Sequence, residues 1–108
     1  MNKKLLSLLG MARRAGRLSM GFDAASESMK KGQSKLLVLA ADISQRTKKS
    51  IIAAAKETGT PAAFSDCTMD EIGSALGKGQ TGIVSINDSG FAGSVKALCD
   101  ENSQEECI

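Results

Sequence analysis

Residues 13–35, RRAGRLSMGFDAASESMKKGQSK, decide how this chain is read. Arg13 and Arg14 close a helical pattern and Gly16 stops it. Residues 17–20 then alternate polar and apolar, with Leu18 and Met20 on one side, the two-residue period of a short strand. Gly21 opens a second helix that runs to about Lys31 and ends at Gly32. Its spacing predicts a buried face of Phe22, Ala25 and Met29, with Asp23, Ala24, Glu27, Lys30 and Lys31 outside. A helix entered through a lone glycine offers unpaired backbone N–H groups and the positive end of its dipole, and the glycine allows close approach. Basic residues on both sides of it make the stretch a candidate surface for an anion.

Working outward, residues 2–15 form a first amphipathic helix, with Leu5, Leu8, Leu9 and Ala12 on one face. Downstream, residues 35–41 (KLLVLAA) are a continuous apolar run, the pattern of a central strand covered on both faces. Asp42 and Ser44 supply capping chemistry for a helix over 45–58, with Ile51, Ile52 and Ala55 inward and Lys48, Lys49 and Lys56 in water. Gly59 and Pro61 lead into a short strand over 62–64. Thr68-x-x-Glu71 is a capping box for a fourth helix carrying Met69, Ile72 and Leu76. A loop over 77–81 precedes a strand over 82–86. Asp88 starts a last helix with Phe91, Val95 and Leu98 inward. Helices alternating with four strands predict an α/β fold, a three-layer α/β/α sandwich around a mixed, four-stranded sheet. Residues 1–99 are expected to form one domain and residues 100–108 a polar, acidic tail that frays.

With 108 residues there is room for one domain. No apolar run approaches the roughly 20 residues that span a bilayer, so no membrane association is expected. The leucine-rich start is broken by Ser7 and followed by arginines, which argues against a secretion signal and for the cytoplasm. Three cysteines, Cys67, Cys99 and Cys107, form no metal-ligating spacing, and an odd number leaves one outside any disulfide scheme. There is no histidine, which removes imidazole ligation and histidine acid–base chemistry. No cofactor and no metal are expected. The aromatics are Phe22, Phe64 and Phe91, few for a base-stacking platform.

The net charge of +2 conceals an asymmetry. Residues 1–56 carry 12 Lys and Arg against 3 acids, which is +9, and residues 57–108 carry 2 against 9, which is −7. Such a split implies a surface for a polyanion, the alternative being helix faces that are merely solvated. Arg13, Arg14 and Arg17 flank the first strand, and Lys30, Lys31 and Lys35 flank the second helix.

Two glycine motifs invite a nucleotide reading. Residues 77–82 (GKGQTG) match the dinucleotide fingerprint literally, but that fingerprint needs a strand before it and a helix after it. Residues 73–79 resemble a phosphate loop that is one residue short and lacks the hydroxyl residue after Lys78. Both precede a strand, so both fail on context. Cys67 between Asp66 and Thr68 has neighbours that raise a thiol pKa, and no residue pair stands out as catalytic machinery. The chain is read as a non-enzyme.

Taken together, LLGMARRAG at residues 8–16, the stretch 13–35, TKK at 47–49, IGSALG at 72–77 and VSINDSGFA at 84–92 resemble the ribosomal-protein superfamily that includes the large-subunit proteins seven-Ae and thirty-e. The likeness is closest to its small bacterial RNA-binding branch. It implies a three-layer α/β/α fold and non-catalytic binding of structured RNA, ribosomal or other non-coding, with possible ribosome association, as a monomer. Well-known members grip kink-turns, sharply bent helices marked by sheared G·A pairs. Their Gly-x-Asn-Glu-x-x-Lys motif falls here on Gly21, Asp23, Ala24 and Glu27, and only the glycine is kept. An ionised Asp23 accepts hydrogen bonds where asparagine would also donate, Ala24 offers none, and Glu27 brings a negative charge in place of a positive one. The family's second contact, the loop before the last strand, corresponds to Gly77, Lys78, Gly79, Gln80 and Thr81, whose polar character favours phosphate contact. The expected RNA-binding set therefore runs from Arg13, Arg14 and Arg17 through Gly21, Phe22, Asp23, Ala24, Glu27, Lys30 and Lys31 to Asp42 and this loop. The competing expectation is a protein-interaction module on the same fold that uses the acidic half, around Asp66, Asp70 and Glu71.

Overall fold

The computed structural model describes the backbone of residues 3–107 and the side chains of residues 3–99. Its elements are α1 (Lys3–Arg14), β1 (Leu18–Met20), α2 (Phe22–Lys30), β2 (Leu36–Leu39), α3 (Gln45–Thr58), β3 (Ala62–Phe64), α4 (Met69–Leu76), β4 (Ile83–Ile86) and α5 (Ser89–Cys107). The strands form one sheet in the order β1-β4-β2-β3. β4 runs antiparallel to both its neighbours, and β2 pairs with β3 in parallel. Three strands therefore point one way and β4 the other, which is the expected mixed sheet.

Alternation along the central strands builds two cores. Leu36, Val38, Val84 and Ile86 pack with Leu5 and Leu9 of α1, Ile72 and Leu76 of α4 and Val95 of α5. On the opposite face Leu37, Leu39 and Ile83 pack with Ala25 and Met29 of α2 and Ile51 and Ala55 of α3. Every residue of β2 and β4 is buried, which is why the run 35–41 shows no polar alternation. Burial on both faces is the main stabilising term, at about 25 cal/mol per Å² of apolar area.

Caps hold the helix starts. Thr68 and Glu71 form the capping box, with Thr68 Oγ1 accepting the Glu71 amide at 3.2 Å and Glu71 accepting the Thr68 amide at 2.9 Å. Asp88 accepts the Phe91 amide at 2.9 Å and so starts α5. Ser44 alone caps α3, accepting the Thr47 amide at 3.2 Å. Asp42, expected to share that role, instead accepts the Met69 amide of α4 at 2.8 Å. The chain leaving β2 is tied to the start of α4 by the Ala41 amide on the Cys67 carbonyl, so Asp42 faces α4.

One further expectation changes. Phe22 is not part of the buried face of α2: it is 40% exposed, and Ser28 is buried beside Ala25 and Met29. Phe22 is the first residue of the helix, where the helical period no longer reports burial. The backbone of α5 is helical as far as Cys107. The side chains of residues 100–108 lie outside the described residues.

Candidate functional site

β1, β2 and β3 deliver the chain to one end of the sheet, and α2, α3 and α4 all start there. Gly21 makes the first turn. Its amide donates to the Ile83 carbonyl at 2.9 Å, and its backbone sits at φ 95°, ψ 166°. A side chain in that region costs about 1–3 kcal/mol. Between the starts of α2 and α3 lies a groove of about 370 Å³ lined by Gly21, Phe22, Ile43, Ser44, Thr47, Met69, Gly82 and Ile83. Phe22 also borders a second groove of about 570 Å³ between α2 and α3, with Asp23, Glu27, Lys30 and Glu57 along it. It forms the ridge between an apolar and a charged trough.

The start of α3 carries Arg46, Lys48 and Lys49 and no acid in its first turn. Cations there oppose the helix dipole, each by about 0.3–1 kcal/mol, a term whose sign reverses once an anion binds. Lys48 Nζ lies 4.8 Å from the ring centre of Phe64 at the end of β3. The single ion pair among the described residues is elsewhere, so none of these three is neutralised by a carboxylate there.

The loop between α4 and β4 is laid back along α4. The Lys78 amide donates to the Gly73 carbonyl at 2.8 Å and the Thr81 amide to the Met69 carbonyl at 3.1 Å. A Cβ on Gly73 would stand 2.0 Å from the Gly79 carbonyl oxygen, so only glycine at 73 lets this backbone pass. The loop thereby carries Gly82 into the apolar groove. Lys78, Gly79 and Gln80 are exposed, whereas Thr81 is buried with its hydroxyl donating to the Gly79 carbonyl at 3.1 Å.

At the other end of the sheet the polar groups are used internally. Ser85 Oγ lies 2.7 Å from Ser34 Oγ and 2.8 Å from Asn87 Oδ1, and Asn87 Nδ2 donates to Ser19 Oγ at 3.0 Å. A hydroxyl has one proton, so Ser85 donates to Asn87 Oδ1 or to Ser34 Oγ, one at a time. Ser19 then meets Ser28 Oγ at 2.7 Å. Nearby, the Arg13 guanidinium donates to the Leu76 carbonyl at the last turn of α4. Lys31 pairs with Glu27 at 2.9 Å, and that hydrogen-bonded ammonium holds the Glu27 carboxyl below the usual glutamate range.

The expected contact residues thus divide between two ends. Gly21, Phe22, Asp23, Ala24, Asp42 and Thr81 lie at the end where three helices begin, with Thr81 facing inward. Arg13, Arg14, Arg17, Lys30, Lys31 and Gly77 gather at the opposite end, with Arg13 and Lys31 engaged by the protein itself. Sequence reasoning missed Ile43, Ser44, Thr47, Met69 and Gly82. The available signal was the strand's carboxyl end, beyond which ligand crevices form in open α/β sheets. Of the competing acidic surface, Glu71 is committed to its capping box.

Fold and site define a small α/β/α domain with an apolar groove at the carboxyl ends of three strands and cations at the start of α3. The chain belongs to the Ribosomal protein L7Ae/L30e/S12e/Gadd45 family, whose sequence profile matches residues 3–102. Among solved structures it is similar to a protein with unknown function from Bacillus halodurans, at 30% identity and a TM-score of 0.84, covering 92% of this chain and 99% of that one. The Giardia lamblia 15.5kD RNA binding protein shares the fold at 21% identity and a TM-score of 0.68, covering 91% of this chain and 92% of that one. No curated protein matches the sequence.

Proposed function

We propose that this protein is a non-catalytic RNA-binding protein that grips a structured, kink-turn-like RNA with the end of the sheet where α2, α3 and α4 begin. The observation that carries the reading is the juxtaposition of an apolar groove, the exposed Phe22 ring and the unneutralised Arg46 and Lys49. An unstacked base fits the groove, and phosphates meet the cations. Membership of a family of ribosomal proteins and the likeness to an RNA-binding protein of Giardia lamblia support it. No helix of the described residues is long and apolar enough to cross a membrane; we read the protein further as a cytoplasmic, ribosome-associated monomer.

The departures from the family motif fit this reading. Glu27 is held by Lys31, so its charge is offset before RNA arrives. Asp23, exposed in the first turn of α2, accepts from the amino group of a guanine or cytosine. The exposed Lys78, Gly79 and Gln80 take phosphate along the loop, while Arg14, Arg17 and Lys30 act through the longer-range field.

The test is a titration against a kink-turn RNA and a plain duplex of equal length at several salt concentrations. The kink-turn binds more tightly, and log K falls with log salt by about 0.7–0.9 per phosphate contacted. Phe22→Ala weakens the kink-turn complex about tenfold, the loss of one base stack, and Arg46→Glu flattens the salt slope. Equal affinity for both RNAs with no effect of either variant would refute the assignment.

A further inference from the structure

Two of the three phenylalanines are exposed, and both lie at the end of the sheet where the groove opens. Phe22 belongs to the groove. Phe64 does not: it ends β3 on the far side of α3 and is 49% exposed. Ala63 is buried in the core beneath α1, α4 and α5, so strand alternation turns Phe64 to the α3 side. Lys48 meets it there from above, 4.8 Å from the ring centre. A ring held by a cation on one side and open over nearly half its surface is presented to solvent in a defined orientation.

Its surroundings select the partner. A flat apolar ring with an ammonium held beside it is complementary to a nucleotide, whose base stacks on the open ring surface while its phosphate lies against the ammonium. A peptide strand is disfavoured. β3 has only three residues and is entered through Pro61, which has no N–H to offer an added strand.

We propose that Phe64, with Lys48, forms a second RNA contact that stacks a single-stranded nucleotide adjoining the structured RNA held in the groove. The proposal rests on the RNA-binding reading above. It extends the contact across α3 to a surface that the groove does not include.

The experiment compares the full chain on a blunt kink-turn RNA and on the same RNA carrying a four-uridine single-stranded extension at each strand end in turn. At least one extended RNA binds about tenfold more tightly than the blunt one. Phe64→Ala removes that gain and leaves the blunt affinity unchanged. Phe64→Trp keeps the gain and, as the sole tryptophan of the chain, has its fluorescence quenched by the extended RNA only. Equal binding of blunt and extended RNA, a gain that survives Phe64→Ala, or equal quenching by both RNAs would overturn this inference and leave the groove intact. Binding of neither RNA would remove the groove reading and this one with it.

Discussion

The two ends of the sheet are built from similar materials and put them to opposite use. At the end where β1, β2 and β3 finish, an apolar groove, an exposed phenylalanine and three cations without carboxylate partners face outward. At the other end, four serines and an asparagine bond to one another, Arg13 bonds to a carbonyl and Lys31 to Glu27. The difference teaches that a basic residue counts toward a ligand only when the protein leaves it unanswered. The most basic-looking stretch of the chain ends up divided, with its glycine at one end and two of its six cations, Arg13 and Lys31, committed at the other.

Three substitutions would break or sharpen this contrast. Ser85→Ala has the largest expected effect. It removes the donor that Asn87 and Ser34 share at a fully buried position, at a cost of about 1–3 kcal/mol in urea unfolding. RNA affinity at the groove stays unchanged, and a matching loss of affinity would erase the distinction between the ends. Arg13→Met is expected to lower stability by about 1 kcal/mol or less, through the lost charge on the last turn of α4. It changes the salt slope of RNA binding less than Arg46→Met does, although both remove one positive charge. The smallest effect is a titration shift. In Lys31→Gln the Glu27 carboxyl, followed by NMR, rises toward the ordinary glutamate value because its hydrogen-bonded ammonium is gone. Its folded pKa is lowered in the native protein, so the pair's contribution is present above the unfolded pKa. That contribution is lost as pH falls through the folded one. Both residues are exposed, so salt weakens the effect.

Much of the fold was legible in the sequence because it rests on local signals. The 68–71 capping box, Ser44 before α3 and the unbroken apolar run of β2 each encode their element within a few residues. What escaped depends on distance along the chain. Arg13 reads as a free cation because its acceptor, Leu76, is 63 residues away. Asp42 reads as a cap for the next helix because nothing local announces Met69, 27 residues on. Gly73 reads as one more glycine of a phosphate-loop-like string, whereas its reason is the backbone of Gly79 pressed against it. Phe22 keeps the helical period and yet stands in the open, since periodicity describes a helix face and not where the neighbouring layer ends. The groove was the least legible feature. It is assembled from four separate segments, at residues 21–22, 43–47, 69 and 82–83, and only the sheet brings them together.

The hydrogen-bonded chain at the closed end also bears on how the molecule ages. Asn87 supplies the one group in it whose donor and acceptor sides cannot be exchanged by rotating a hydroxyl. Hydrolysis of that side-chain amide to a carboxylate would replace the nitrogen that donates to Ser19 with a second acceptor and add a negative charge beside the buried Ser85. Ser19 would have to turn its proton toward residue 87 and away from Ser28, so one chemical event would reorder a link between β1 and α2. The link between β1 and α2 therefore depends on an intact amide at the end of the sheet away from the groove.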